Sequence, residues 1–216
     1  MVELPEIIPV FPLPNVVLFP GLQLPLHIFE KRYRDMVMDA KSNVPSIIGL
    51  ALLRGEWEKQ YEGNPEIFAT GCAGKILETE NLPDGRYNIL LSGVREYAIE
   101  EESFDKSYRR ARVTWRPERK GELDADEREN VAKVLEEYLP EKERAAVRRL
   151  LSDDTITDEL FINFFAFHLK ILPIEKQSVL DAKTMRARAE CLKNILEFKL
   201  SESTWPAGSS GTEGFH

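Results

Sequence analysis

The sequence predicts a segregated α+β protein: a small, closed or nearly closed β-barrel carrying one early helix, followed by a C-terminal α-helical bundle. Three observations carry that expectation. Ten of the 13 prolines and nine of the 12 glycines fall in the first 121 residues, where short β-branched and aromatic runs alternate with turn signals. Beyond that stretch, Lys, Glu, Arg, Ala and Leu recur at helical spacing. Strands first and helices after argue against alternating βαβ units. The resulting division is a barrel subdomain over 1–118, a polar, breaker-rich linker over 119–126, a helical subdomain over 127–200 and a disordered tail over 201–216.

Each element has its own signal. Ile7 to Leu13 is apolar, but Pro9 and Pro12 each lack a ladder donor, so the stretch reads as an edge or strongly bent strand. Val16 to Phe19 reads as a second strand stopped by Pro20 and Gly21, and Leu22, Leu24 and Leu26 alternate as a third. Glu30 to Lys41 reads as a helix with Tyr33, Met36, Val37 and Ala40 on one face. Ser46 to Leu53 is a buried strand, and Trp57 to Pro65 an exposed loop. Phe68 to Leu77 and Tyr87 to Ser92 are strands flanking Pro83-Asp84-Gly85, where proline presets φ and glycine supplies a positive one. Val94 to Glu100 forms a further strand with Val94, Tyr97 and Ile99 inward, and Tyr108 to Trp115 ends the barrel.

Helices follow. Asp126 stands three residues before Glu129, the capping-box offset, ahead of Val131, Val134, Leu135 and Tyr138. Pro140 restarts the chain into a helix over Glu141 to Leu151. Thr157 or Asp158 caps Glu159 to Ile171, which is apolar on most sides and therefore suited to the middle of a bundle. Pro173 opens a short helix through Leu180, and Thr184 caps the last one, with Met185, Leu192, Ile195, Leu196 and Leu200 as its stripe.

Composition narrows function. Twenty-nine Lys and Arg against 37 Asp and Glu give a net charge of −8, which repels phosphate backbones and anionic lipid. Two cysteines, Cys72 and Cys191, make neither a disulfide framework nor a thiolate zinc site. The chain opens acidic where an export signal is basic, and its longest apolar stretch, Val16 to Phe29, is broken by Pro20, Gly21, Gln23, Pro25 and His27. These features predict a soluble, cytoplasmic protein without a membrane span.

Catalytic patterns fail on inspection. Gly74-Lys75 is preceded by Ala69 and followed by Ile76 where a phosphate loop needs glycine and a hydroxyl. Ser92 lacks the flanking glycines of a nucleophile elbow. Ser103 and Lys106 have serine–lysine spacing but lie in an acidic loop between strands, and Glu100 to Glu102 reads as a solvated strand end. His27 and Glu30 alone make no metal site; His27 reads as a packed histidine, His168 as a histidine of the bundle, and His216 ends the tail. No catalytic, cofactor-binding or metal-ligating residues are predicted, and no cofactor.

Three separated stretches resemble one family. Residues 8–37, IPVFPLPNVVLFPGLQLPLHIFEKRYRDMV, look like the opening of the Lon protease N-terminal, substrate-binding (LON) domain. Residues 82–99, LPDGRYNILLSGVREYAI, are similar to its second signature, and residues 172–182, LPIEKQSVLDA, to its helical part. The resemblance covers about residues 8 to 200 and implies a six- or seven-stranded pseudo-barrel of PUA-like topology followed by a helical bundle. Lon proteases continue into ATP-hydrolysing and serine–lysine protease domains, for which this sequence has no counterpart. The resemblance therefore implies a stand-alone LON-domain protein that is not an enzyme and that binds other proteins.

The expected partners are unfolded or extended polypeptide segments, with a protease or chaperone as a second class. They would be held on an edge strand left incompletely paired by prolines, or in a cleft between barrel and bundle. Candidate contact residues are Leu22, Leu24, Phe29, Tyr33 and Tyr97. Two rival readings are a hydrolase whose groups meet only in the fold, and an RNA-binding PUA-like module using Arg109, Arg110, Arg112, Arg116 and Arg119.

Overall fold

In a computed structural model, which describes residues 3–60, 63–117 and 122–204, six strands form one sheet that closes on itself, and five helices follow. The strands are β1 (Ile7–Leu13), β2 (Gln23–Ile28), β3 (Ile47–Leu52), β4 (Thr70–Asn81), β5 (Tyr87–Ser103) and β6 (Arg110–Trp115). The order β2-β5-β4-β3-β1-β6 is completed by β5 pairing with β6, so five strands make a ring and β2 hangs outside it on the first half of β5. Only β1 and β3 run parallel. Helix α1 (Lys31–Lys41) packs on the ring, burying the four residues its periodicity singles out, Tyr33, Met36, Val37 and Ala40.

Three corrections concern strands. β1 is not an edge: its first half, Ile7 to Pro9, pairs with β6, and its second, Val10 to Leu13, pairs with β3. Each proline thus stands opposite one neighbour rather than between two, which is how a ring strand tolerates both missing donors. Val16 to Phe19 is not a strand. Bracketed by Pro14 and Pro20, it dives inward, burying Val17, Leu18 and Phe19 between the ring and the helices.

The two strands expected over Tyr87–Ser92 and Val94–Glu100 are one 17-residue strand. In its pairing with β4 the register shifts between Ala73 and Gly74, so Val94 is the extra residue of a bulge. Val94 is accordingly 38% exposed, contrary to expectation, while Glu96 and Tyr97 are buried side by side. The ring interior is filled by Ile8, Val10, Ile47, Ala51, Ala73, Tyr97, Ala111 and Val113, which between them come from all five ring strands.

The helices are α2 (Ala125–Tyr138), α3 (Glu141–Leu151), α4 (Asp158–His168), α5 (Pro173–Asp181) and α6 (Met185–Thr204). The capping box of α2 is Asp124 with Glu127, not Asp126 with Glu129. The same spacing occurs twice two residues apart. The earlier pair prevails because Leu123 is buried and its N–H donates to Asp158, which turns the chain at 124. Thr157 caps α4 and Thr184 caps α6, as expected. Helix α4 ends at His168 rather than Ile171, and α6 continues through Thr204, so the first residues of the expected tail are helical. The tail beyond 204, and part of the expected linker, lie outside the described residues.

Candidate functional site

The outer edge of β2 pairs with no strand among the described residues. Pro25 sits mid-strand on that edge, and Phe29 follows the strand, 60% exposed. The outward face is polar and organised. Asn88 joins His27 Nδ1 at 2.8 Å and donates to Glu80 at 2.7 Å, Arg86 reaches His27 Nε2 at 3.1 Å, and the Phe29 ring lies 6.3 Å from the imidazole. His27 is therefore a surface residue rather than a packed one.

Of the five candidate contact residues, only Phe29 offers exposed apolar area. Leu22 is buried against the helices, and Leu24 and Tyr33 lie in the core beneath α1, with the Tyr33 ring 4.3 Å from that of Phe11. Tyr97 is fully buried and its hydroxyl donates to the Leu50 carbonyl at 3.0 Å. Alternation turns Leu22 and Leu24 to the inner face, and helical periodicity does the same for Tyr33.

Two recesses flank the β5–β6 connection. The larger, about 430 Å³, lies between the C-terminal end of α1 and the first residues of β1, and is lined by Ile7, Val44, Pro45, Asp39, Tyr108 and Arg110. Val44 on its rim is 94% exposed. Tyr108 donates to Asp39 at 2.6 Å and Lys106 stands 3.4 Å from it; together they hold the Asp39 carboxyl below the usual carboxylate range, while burial and Asp39 push the Tyr108 phenol up. The smaller recess, about 190 Å³, lies on the other side of Lys106 and Tyr108 and includes Arg32, Tyr33 and Arg109.

The expected cleft between barrel and bundle is filled instead. Arg188 of α6, fully buried, donates to Glu96 of β5 at 2.5 Å, to Asn163 of α4 at 2.6 Å and to the Leu180 carbonyl at 3.0 Å, with its guanidinium over the Phe19 ring. Arg116, just after β6, also reaches Glu96, at 3.2 Å, and the carbonyls of Leu180 and Asp181. Asn163 donates to the Pro20 carbonyl and Gln177 to that of Thr70. Sequence patterning missed this network, because a lone Glu in a strand and a lone Arg in a helix 92 residues away carry no joint signal.

The rival chemistries find no support in the geometry. Ser103 donates to Asp105 and Lys106 pairs with Asp39, so the two are not a nucleophile and base. Among the described residues no group of three or more His, Cys, Asp or Glu could hold a metal. His168 is at the surface between the Phe164 and Phe167 rings, and burial together with nearby Lys176 holds its pKa below the ordinary histidine value. Arg109, Arg110, Arg112 and Arg116 each face carboxylates, namely Glu102, Asp105, Glu6 with Glu101, and Glu96. Such pairing leaves little basic surface for a phosphate backbone. Arg119 and His216 lie outside the described residues. No described helix is long and apolar enough to cross a membrane.

Comparison with known proteins places this architecture. The Lon protease of Chloroherpeton thalassium is 27% identical over 194 residues, which cover 88% of this chain and 23% of that protein. The Lon protease of Leptospira interrogans is 30% identical over 196 residues, 87% of this chain and 22% of that one. The chain thus spans about a quarter of the length of the curated relatives it matches. Among solved structures, the N-terminal domain of Mycobacterium avium complex Lon protease superposes with a TM-score of 0.69 at 16% identity, covering 89% of this chain and 98% of that one. A Lon N-terminal domain protein from Xanthomonas campestris gives 0.64 at 23% identity, covering 86% and 96%. These two likenesses speak to fold. A family model described as the ATP-dependent protease La (LON) substrate-binding domain matches residues 7–197, and the chain belongs to that family.

Proposed function

We propose that this chain is a non-catalytic binding module for extended, apolar polypeptide segments, working in the cytoplasm. The observation that carries the reading is the unpaired outer edge of β2, running into exposed Phe29, in a chain of the LON substrate-binding family. A six-residue edge offers about 20 Å of main-chain donors and acceptors, enough for a short added strand. Pro25 withholds one donor, which limits open-ended strand stacking while leaving the rest of the edge available. Phe29 supplies an apolar anchor at the end of that edge, and β5 on the far side keeps β2 straight through six paired residues. Free thiols at Cys72 and Cys191 agree with a reducing compartment.

An array of unstructured peptides, read by fluorescence anisotropy, tests this. Apolar, β-prone peptides are expected to bind at micromolar or weaker affinity and charged controls not at all. Methylation of alternate peptide-backbone nitrogens should abolish binding, since strand addition runs on main-chain hydrogen bonds, and Phe29→Asp should weaken it roughly tenfold. Equal binding across the whole array, or indifference to backbone methylation, would remove the proposal.

A further inference from the structure

The smaller recess has a charge arrangement that the peptide-edge reading does not use. Arg32, Lys106 and Arg109 line it together with Tyr33, Asn64 and Ser107, and no carboxylate does so among the described residues. The acidic partners of the three cations, Glu30, Asp39 and Glu102, all stand outside the lining. The recess therefore presents the positive ends of three ion pairs to whatever enters it.

Arg109 is the centre of the arrangement. Its side chain is only 5% exposed. Its Nε faces Glu102 at 3.2 Å and its Nη2 donates to the Pro65 carbonyl at 2.6 Å, but Nη1 is buried without a hydrogen-bond partner. The Phe104 ring lies 5.4 Å from the guanidinium carbon. A buried guanidinium donor without an acceptor is rare in a folded protein and asks for an explanation. Burial also holds the Arg109 pKa below its ordinary value, so an anion beside it would restore what desolvation takes away.

We propose that this recess receives a carboxylate of the bound polypeptide, with Arg109 and Lys106 as its cationic contacts, Arg32 in the same lining and the Asn64 amide as a further donor. A carboxylate oxygen supplies the acceptor that Nη1 lacks, and its charge suits a recess lined by three cations. The proposal rests on the reading of the chain as a polypeptide binder, and it narrows the substrate class to segments that end in a free carboxylate or carry Asp or Glu beside their apolar residues. Exposed Phe104 gives the neighbouring apolar residue a surface.

Three versions of one apolar peptide separate the possibilities: a free C-terminal acid, a C-terminal amide, and the amide with Glu at its last position. The acid, the Glu-bearing amide or both are expected to bind the intact chain roughly tenfold tighter than the plain amide at low salt, with the gap closing as salt rises. Which of the two gains identifies the source of the carboxylate. The gap should vanish in Arg109→Lys and in the surface double variant Arg32→Gln with Lys106→Gln, the latter checked for an unchanged circular dichroism spectrum. Equal affinity for all three peptides would overturn the carboxylate site while leaving the strand-edge reading standing. Absence of binding by any of them would overturn both.

Discussion

At Gly71 a Cβ would lie 2.3 Å from the Leu50 carbonyl oxygen and 2.4 Å from the Tyr97 hydroxyl, so the ring closes on a position that admits no side chain. Tyr97 fills the space that Gly71 leaves open and returns its hydroxyl to Leu50. Gly71→Ala should therefore cost about 1–3 kcal/mol or more, as overpacking does, measured by urea unfolding. Tyr97→Phe should cost about 1 kcal/mol for the lost hydrogen bond and should not rescue Gly71→Ala, because the tighter contact is with backbone. Recovery of stability in the double variant would show that the hydroxyl, not the carbonyl, sets the limit. Residue-scale detail of this kind was only partly legible. Tyr97 was identifiable as inward, whereas Val94 was not identifiable as outward, because a bulge breaks the alternation that the reading relies on and leaves no mark in composition. An aromatic side chain suits a ring interior as much as a binding surface, and Tyr97, expected as a contact residue, fills the interior.

Elements were legible wherever one periodicity ran unbroken. Helix α1 and strand β3 emerged with their burial correct, since one buries a helical stripe and the other is apolar throughout. Prolines misled in β1 because a missing donor reveals only that one side of the strand is unpaired locally; it does not reveal that the strand changes partner halfway along. The edge therefore appeared at β1 when it belongs to β2. The start of α2 was ambiguous for a different reason, two overlapping capping boxes, and makes a direct test. Asp124→Ala removes an acceptor for the Glu127 N–H and should lower stability by about 1 kcal/mol. Asp126→Ala, in the first turn but outside the cap, should stay within about 0.5 kcal/mol of the parent. Thermal melts of the two variants compare them directly, and the reverse ranking would restore the later cap.

On the scale of the whole molecule, the question is whether barrel and helices unfold together. Acid stability gives a first view. The carboxyls of Asp35, Asp39, Asp84, Asp105, Asp153 and Glu129 are held below their ordinary values by hydrogen bonds from their partners, so their contribution is present above pH about 4 and is lost as pH falls through the lowered values. His168, held down by burial, acts earlier. Below its ordinary value of 6.5 the unfolded chain takes up a proton before the folded one does, and stability declines from there. His168→Gln should remove that first decline, which sets in below about pH 6.5, and leave the lower one unchanged. The junction gives the second view. Glu96 is 2% exposed and meets Arg188 from the helices and Arg116 from the barrel, so removing Arg188 takes one of two cations from a buried carboxylate. Breaking such a pair from one side costs about 3–5 kcal/mol, against a total of about 5–15 kcal/mol for a domain. The parent should therefore unfold in one transition, with tryptophan emission from Trp57 and Trp115 in a Trp205→Phe background coinciding with helical circular dichroism. In Arg188→Ala the loss falls on the contacts between the two halves rather than within either core. The helical signal should then melt at lower denaturant than the tryptophan signal. Coincident curves in that variant would mean that apolar packing of Val17, Phe19, Leu22 and Leu52 against the helices alone couples the two halves.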